Sequence, residues 1–530
     1  MVCGERLARG RPRRLGCQLS GHGGWSVLML FGVLALGACA PLPERSEIGG
    51  EHALPPASSG TLAEHARRIE TGLASGETAY WLLDRNQLAF DARLALTDSA
   101  SSTLDIQYFI WQEDATGYLL AAHLLAAADR GVKVRLLLDD FSISGPHSDL
   151  LKLDSHPNIE VRVFNPWVSR RLRLSRAVEF LFHMDHLNRR MHNKTYVADG
   201  RFAIIGGRNI GTRYFGLNER FVQDDLDVLM AGAGVDDVTA SFDSFWNGRP
   251  TFQAALAMTP KGRESKLQET RMKIAREVQA DAGLLESFPL QPKDWTAYLD
   301  DLPNTYASGR GSLIYDPANR DDSSRPRLYP EFKRFIESAE HEVLICSPYF
   351  IPDADFRDLI RRLVARGVRV AILTNSLATN NHEVAHTGYK RWRRDILASG
   401  AELYELREGA TALDEYVTPP VTSRYLGLHT KAIVVDSRYT FIGSPNVDPR
   451  SMVLNTEIGV VTDSPELNRR LRALIERDMS PANAWRVTMD GDGWLKWSSG
   501  DRQVTRQPAK GFGQRFVEFL INLFPLKKQA

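Results

Sequence analysis

Apolar and polar positions along this chain fall into blocks that occur twice. Residues 103–138, TLDIQYFIWQEDATGYLLAAHLLAAADRGVKVRLLL, open with an apolar run ending in Tyr-Phe, pass through a helical stretch, and return to an apolar run after Arg-Gly-Val. Residues 341–373, HEVLICSPYFIPDADFRDLIRRLVARGVRVAIL, follow the same course. Short apolar runs predict buried strands, and the longer periodic stretch between them predicts a helix. Gly131 and Gly367 stand where each helix must stop before the next strand. A strand–helix–strand unit of this length implies a right-handed crossover between parallel strands. Tyr108 and Tyr349 are 241 residues apart, and Arg130 and Arg366 are 236 apart. The pattern predicts an α/β protein of two halves, 61–250 and 301–475, with a polar linker at 251–300 and an extension at 476–530. Two unrelated α/β domains are the alternative.

A second match argues against that alternative. An offset of 237 superimposes His192 on His429. The first copy reads His192-Asn193-Lys194-Thr195-Tyr196-Val197-Ala198-Asp199, then Gly206-Gly207-Arg208-Asn209. The second reads His429-Thr430-Lys431-Ala432-Ile433-Val434-Val435-Asp436, then Gly443-Ser444-Pro445-Asn446. TYVAD and AIVVD are strand formers, so His and Lys, two residues apart, project to one face in each copy. Asp199-Gly200 predicts a tight turn into the next strand. The pairs Gly206-Gly207 and Gly443-Ser444 would let backbone approach a phosphate, and Asn209 and Asn446 could donate to it.

Two facing imidazoles can divide a double displacement. One attacks phosphorus; the other protonates the leaving oxygen and later deprotonates the incoming one. Two Lys and two Asn would stabilise charge on the non-bridging oxygens, a chemistry for which no metal or cofactor is expected. A lone His beside a Lys is commonly a surface or satisfied core residue; two complete copies at one offset are not.

Composition bounds the setting. Across 530 residues, 43% are hydrophobic and 25% charged, and 66 Lys+Arg face 65 Asp+Glu. This excludes a disordered, collagen-like or multi-span membrane chain and argues against a strongly basic nucleic-acid binder. Residues 1–24 carry Arg6, Arg9, Arg11, Arg13 and Arg14, followed by the apolar run WSVLMLFGVLALGA. That run is short for a bilayer span and suits the core of a secretory signal. Its end, Leu36-Gly37-Ala38-Cys39, resembles a bacterial lipobox, so residues 1–38 read as a signal and Cys39 as the lipidated first mature residue. A short uncleaved anchor is the other reading. Either places the protein at a membrane outside the cytoplasm, as a periplasmic lipoprotein in the first case. Residues 39–60, rich in Pro, Gly and Ser, read as a flexible tether. Cys346 would then be the one remaining cysteine, packed in a strand.

The duplicated motifs resemble those of the phospholipase D superfamily, whose members carry two such motifs on a pseudo-twofold α/β/α/β/α sandwich. The stretches at 136–166, 187–216 and 224–238 are similar to bacterial cardiolipin synthases of the C type. The resemblance covers residues 60–530. It implies two fused α/β/α sandwich halves with one shared active site. It further implies a phosphohistidine on His192, His429 as acid and base, and Lys194, Lys431, Asn209 and Asn446 as phosphate ligands. Asp199 and Asp436 carry over as the motif aspartates, structural or orienting in role. Acidic residues that orient the imidazoles match Asp227 and Glu457, at unequal spacings of 18 and 11 from Asn209 and Asn446. The implied activity is transfer of a phosphatidyl group to phosphatidylglycerol. The expected partners are phospholipids (with phosphatidylethanolamine a second candidate) and a membrane surface, with no nucleic acid. Phospholipase D hydrolysis is the second reading, a phosphodiesterase or nuclease the third, and a catalytically silent scaffold is opposed by both motifs being intact.

Other signals compete. His382-Glu383-Val384-Ala385-His386 matches a zinc-protease pattern, against which stands the absence of third-ligand context; His386, Gly388 and Tyr389 also match the C-type enzymes. His183 and His186 read as a surface pair. The basic runs 170–173, 189–190 and 390–394 read either as solvated faces or as contacts for anionic lipid. Phe512, Phe516, Phe519, Leu520, Leu523 and Phe524 form one apolar helical stripe, which suits a docked helix or an interfacial one.

Overall fold

In the first half, β1 (Thr78–Leu83), β2 (Thr103–Tyr108), β3 (Lys133–Asp139), β4 (Ile159–Phe164), β5 (Thr195–Ala198), β6 (Phe202–Gly206), β7 (Val222–Asp224), β8 (Asp227–Gly232) and β9 (Thr251–Gln253) follow one another along the chain. All of them except β7 form a sheet ordered β9-β4-β3-β2-β5-β6-β8-β1. This computed structural model describes residues 50–141, 143, 148–167, 188–254, 263–319, 327–380, 382–511, 513–516 and 518.

The second half repeats the plan with β10 (Ala307–Tyr315), β11 (Glu342–Cys346), β12 (Arg369–Asn375), β13 (Glu402–Leu406), β14 (Leu426–Leu428), β15 (Ala432–Val435), β16 (Tyr439–Gly443), β17 (Ile458–Asp463), β18 (Ala484–Met489), β19 (Leu495–Ser499) and β20 (Arg502–Val504). Its order is β20-β19-β18-β13-β12-β11-β15-β16-β17-β10. The crossover strands β2, β3 and β4, like β11, β12 and β13, are parallel, as the repeated blocks predict. Strand β10 belongs to both sheets: Ala307–Gly309 pair with β1 and Arg310–Tyr315 pair with β17.

Helices α1 (Thr61–Glu70), α2 (Asn86–Ser99), α3 (Ala115–Asp129), α4 (Gly234–Trp246), α5 (Arg263–Ala280), α6 (Thr296–Thr305), α7 (Leu328–Glu337), α8 (Ala354–Ala365), α9 (Glu383–Ala398) and α10 (Pro465–Met479) cover the sheet faces. The crossover helices α3 and α8 begin alike, with Asp114 and Asp353 capping Gly117 N and Phe356 N at 3.1 and 2.8 Å. They end alike, at Gly131 with φ +99° and Gly367 with φ +84°, the left-handed conformation that favours glycine. Alternate strand residues separate the cores. Val343 and Ile345 face the outer core of the second half, while Leu344 and Cys346 face a central core. That central core also takes Val197, Ile205 and Val228 from the first half, and Phe242 of α4 and Leu467 of α10. The layers are therefore helix, sheet, helix, sheet, helix.

Three boundary expectations need correction. Segment 251–300 is no bare linker: β9 completes the first sheet, and Ile274, Val278, Leu285, Phe288, Trp295 and Leu299 join its core. The reason lies in α3, whose ATGYLLAAHLLAAAD is apolar on nearly every side and needs a cover on both. Helix α8 buries only Phe356, Leu359, Ile360 and Leu363, a single stripe, and leaves Arg361 and Arg362 exposed. The extension beyond 475 is not separate either. It completes α10 and continues the second sheet through β18, with Trp485 and Trp497 buried.

The stretch read as a tether is, from Glu51 on, laid against the first half. Glu51 Oε2 accepts from Arg162 Nη2 at 2.6 Å and Trp246 Nε1 at 3.1 Å, and Ala57 N donates to Asp199 O at 2.9 Å. Arg162 is fully buried, and a buried guanidinium requires carboxylate partners. Residues 1–38, Cys39, His183, His186, the run 170–173 and most of 512–524 lie outside the described residues. Among the described residues, no helix is long and apolar enough to cross a membrane.

Candidate active site

Each motif histidine lies where the two halves exchange backbone hydrogen bonds. His192 N donates to Thr456 O at 2.9 Å, and Thr456 N donates to Arg190 O at 2.9 Å. In the mirrored position, β14 pairs with β7 in parallel, and His429 N donates to Asp224 O at 2.7 Å. The bridges Met191↔Thr456 and Leu428↔Asp224 are equivalent by the repeat. Two short parallel ladders thus bring together motifs 237 residues apart.

The same exchange extends to the side chains. His192 Nδ1 donates to Glu457 Oε2 at 2.8 Å, and His429 Nδ1 donates to Asp225 Oδ2. Each imidazole is held by a carboxylate of the other half. With Nδ1 protonated and bonded, Nε2 of each ring keeps its lone pair. Phe109 packs edge-on against His192 at 5.0 Å, and Tyr214 against His429 at 5.4 Å.

Glu457 meets an imidazole, but Asp227 does not. Its carboxylate accepts from Arg93 Nη2 at 2.8 Å, Arg208 Nη1 at 3.1 Å and Arg208 N at 3.1 Å, all buried. It neutralises two core arginines, and Asp225 is the residue that reaches His429. Strand register explains the shift. Gly206 pairs with Asp227 and Gly443 with Gly459, so Asp225 and Glu457 each stand two residues before the partner of the motif glycine. The usable signal in the sequence was the strand match of Asp225-Leu226-Asp227-Val228 to Glu457-Ile458-Gly459-Val460, which spacing from the asparagines obscures.

Lys194 and Lys431 are buried beside the rings, each Nζ donating to the carbonyl of its own motif histidine, at 2.5 Å for Lys194. Asn446 Oδ1 has no partner, and Asn209 Oδ1 accepts from Ile110 N at 3.1 Å. Ser444 is not open to a ligand through its hydroxyl, which donates to Glu457 Oε2 at 2.5 Å and accepts from Ile458 N at 3.0 Å. Gly206 and Gly443 face protein, where a Cβ would collide with Leu226 O and Ile458 O. Gly207 lies against Asp225 and Lys431, so a side chain there would push into both. These small residues make room for the carboxylates and lysine rather than directly for phosphate.

Asp199 and Asp436 stand at the far ends of the motif strands. Each takes a left-handed conformation, φ +53° and +50°, at the turn into the next strand. Asp199 accepts from Ser101, Ser102 and Thr103 N, and Asp436 from Glu340, His341 and Glu342 N. They tie the motif hairpin to the start of the first crossover strand in each half, a structural role.

Burial pushes the His192 imidazole down to about 4, against the pull of Glu457. Burial, then Lys431 and Lys194, hold His429 well below its ordinary value. Burial likewise brings Lys194 down to about 7 and Lys431 to about 8. Burial works to raise Glu457, but His192 and Lys194 hold it below the usual carboxyl value. Burial thus disfavours the charged form of both rings and both lysines, and an arriving anion restores the lysine charge by supplying the counter-charge. A cavity of about 700 Å3 is lined by Ile110, Phe141, Arg213 and Phe221, one residue layer from the rings. Phe141 stacks on Phe109, and Arg213 lies over Tyr214.

Among the described residues, no three His, Cys, Asp or Glu side chains are grouped to hold a metal ion. His386 instead packs against Tyr389 and approaches Arg393 Nη2 at 3.5 Å, a cation that would repel zinc, and His382 packs against Tyr349. Cys346 is buried in β11, where burial raises its thiol pKa well above the ordinary value.

A duplicated His-x-Lys pair shared between two α/β halves defines a phospholipase-D-like enzyme. Residues 94–246 and 332–479 match the family described as cardiolipin synthase, PLD-like domain. Cardiolipin synthase C of Escherichia coli (strain K12) is 37% identical over 467 residues, 85% of this chain and 96% of that one. An uncharacterized protein of Helicobacter pylori (strain J99) is 32% identical over 392 residues, 72% of this chain and 76% of its own. The crystal structure of phosphatidylserine synthase from Haemophilus influenzae Rd KW20 shares the fold, with a TM-score of 0.51 and 15% identity, covering 78% of this chain and 91% of that one. The chain belongs to the cardiolipin synthase family of phospholipase-D-like enzymes.

Two outcomes follow from this geometry. Asp225→Asn removes the carboxylate behind His429 and is expected to lower kcat at least 100-fold while leaving the melting temperature nearly unchanged. Asp227→Asn is expected to do the reverse, costing about 3–5 kcal/mol of stability because Arg93 and Arg208 stay buried without their carboxylate. Paired unfolding curves and turnover measurements decide, and equal kinetic losses in both would refute the assignment.

The second outcome concerns pH. Because His192, Lys194 and Lys431 have folded pKa values below their unfolded ones, the unfolded chain binds more protons between about pH 4 and 10.5. Their contribution to stability is therefore intact above pH 10.5 and falls as pH drops, through 8 and 7 for the lysines and toward 4 for His192. Lys194→Met should flatten the dependence of Tm between pH 10 and 7; a Tm slope identical to wild type would show the lysine is not desolvated.

Proposed function

We propose that this enzyme moves a phosphatidyl group from one phospholipid to a hydroxyl of phosphatidylglycerol, forming cardiolipin. The observation that carries the reading is the pair of imidazoles braced crosswise at Nδ1, which leaves two Nε2 atoms for one phosphorus. His429 first takes up a proton at Nε2 as the anionic phosphate arrives and offsets the nearby lysines. His192 Nε2 then attacks phosphorus, the bond to the leaving oxygen breaks, and that oxygen takes the Nε2 proton of His429, which returns to neutral. His429 then takes the proton of the incoming hydroxyl, whose oxygen attacks phosphorus as the bond to His192 breaks. Glu457, kept ionised behind His192, supports the positive charge that the phosphohistidine ring carries. Lys194, Lys431, Asn209 and Asn446 would turn toward the non-bridging oxygens, with Arg213 at the mouth.

Burial of both motifs favours transfer over hydrolysis, since an intermediate out of water survives until an alcohol arrives. The family and the 37% identity to a cardiolipin synthase support the same choice. We place the protein at a membrane surface outside the cytoplasm, attached through an acylated Cys39 after removal of residues 1–38.

On vesicles of phosphatidylglycerol, with and without phosphatidylethanolamine, cardiolipin should exceed phosphatidic acid. His192→Ala and His429→Ala should each lose at least 1000-fold in rate, and label trapped during slowed turnover should sit on His192. A product that is nearly all phosphatidic acid would make the enzyme a hydrolase, and label on His429 would reverse the roles.

Mass spectrometry tests the attachment: Cys39→Ser should leave an unprocessed precursor without acyl mass. A wild-type protein of unmodified mass would overturn that placement.

A further inference from the structure

Transfer between two phospholipids involves two phosphates, of which only the donor's reacts. The acceptor's own phosphate diester, separated from its attacking hydroxyl by a three-carbon glycerol, also has to be held near the reaction centre. The large cavity suits it poorly, because Glu113 and Asp114 line it against one arginine, Arg213. A second cavity, of about 250 Å3, lies between the halves and is lined by Arg189, Arg190, Arg249 and Arg327, with no Asp or Glu among the described residues of its wall. That volume is below the roughly 300–1,000 Å3 of sites for drug-sized ligands, so it takes a headgroup fragment and not acyl chains.

Arg190 marks the cavity as built for an anion. Its side chain is only 1% exposed, yet Nε and Nη2 have no hydrogen-bond partner. Nη1 donates to Asn165 O at 3.1 Å and approaches Asp139 Oδ1 at 3.4 Å, and the guanidinium lies over Trp167. Buried donors are rarely left unmatched, and a guanidinium edge fits a phosphate through two parallel bonds. Arg327 Nε is engaged by Asp316 at 3.3 Å, so Arg190 is the fully buried cation of the wall with donors to spare.

Position connects the cavity to the chemistry. Arg190 stands two residues before His192, within about 7 Å along an extended backbone. Thr456, also in the wall, is the residue whose main chain pairs with both Arg190 and His192. We infer that this arginine-lined cavity is the subsite for the acceptor phospholipid's own phosphate diester, a conclusion that rests on the phosphatidyl-transfer reading above.

The test compares acceptors with and without that phosphate. In Arg249→Ala, Arg327→Ala and the double variant, kcat/KM is measured for phosphatidylglycerol and for ethanol as acceptors on the same donor vesicles. The ratio of the two should fall at least tenfold in the double variant. A ratio that stays at the wild-type value, with cardiolipin still formed, would overturn the subsite alone. A wild-type protein that transfers phosphatidyl to ethanol but forms no cardiolipin would overturn the transfer reading and the subsite with it. Calorimetric titration with glycerophosphoglycerol and with inorganic phosphate separates the sources. The diester should bind wild type and weaken at least tenfold in the double variant. Inorganic phosphate binding there as tightly as the diester would show a free-phosphate site and overturn the headgroup assignment.

Discussion

The site depends on one reciprocal constraint: each motif imidazole is held by a carboxylate from the opposite half. Glu457 holds His192 and Asp225 holds His429, and each carboxylate follows directly on the short parallel ladder that delivers the other half's histidine. The ladders, the shared strand β10 and the central core all serve to fix this exchange. Neither half contains a complete histidine–carboxylate pair. The chain must fold as one unit to have a site at all.

The arrangement concentrates buried charge. Two lysines, two histidines and their carboxylates share a desolvated space, and Asp227 with Arg93 and Arg208 forms a second charged layer behind it. Burying unpaired ammonium groups is costly, and the depressed lysine and histidine pKa values express that cost. An anionic phosphate relieves it by supplying the missing counter-charge. The same field that disfavours the empty site thus favours an anion within it.

The repeat is exact in plan and unequal in detail. Helix α3 is apolar nearly all round and lies under α5, whereas α8 shows one apolar stripe and faces outward. Phe109 packs on His192 where Tyr214 packs on His429, and Asp225 replaces glutamate on one side. Such differences allow the two histidines to take different roles within a duplicated frame.

Much was legible without coordinates. Strand periodicity, Gly131 and Gly367 as helix stops, and the offset of 237 between His192 and His429 sufficed for two α/β halves and one duplicated His-x-Lys set, because these are local patterns set by backbone geometry. Glu457 was also within reach. What sequence spacing could not decide was which of two acids two residues apart turns toward the second imidazole, since loops of unequal length hide the strand register that equates Asp225 with Glu457. It could not show that residues from 274 to 299 join the first core or that Glu51 meets Arg162, because that need arises only when the second face of α3 and the guanidinium of Arg162 are left to be covered. Nor could it reveal that Ser444 is spent on Glu457, or that four arginines from three distant segments line one cavity. Those are matters of which side chains meet across a fold, and only tertiary packing brings them together.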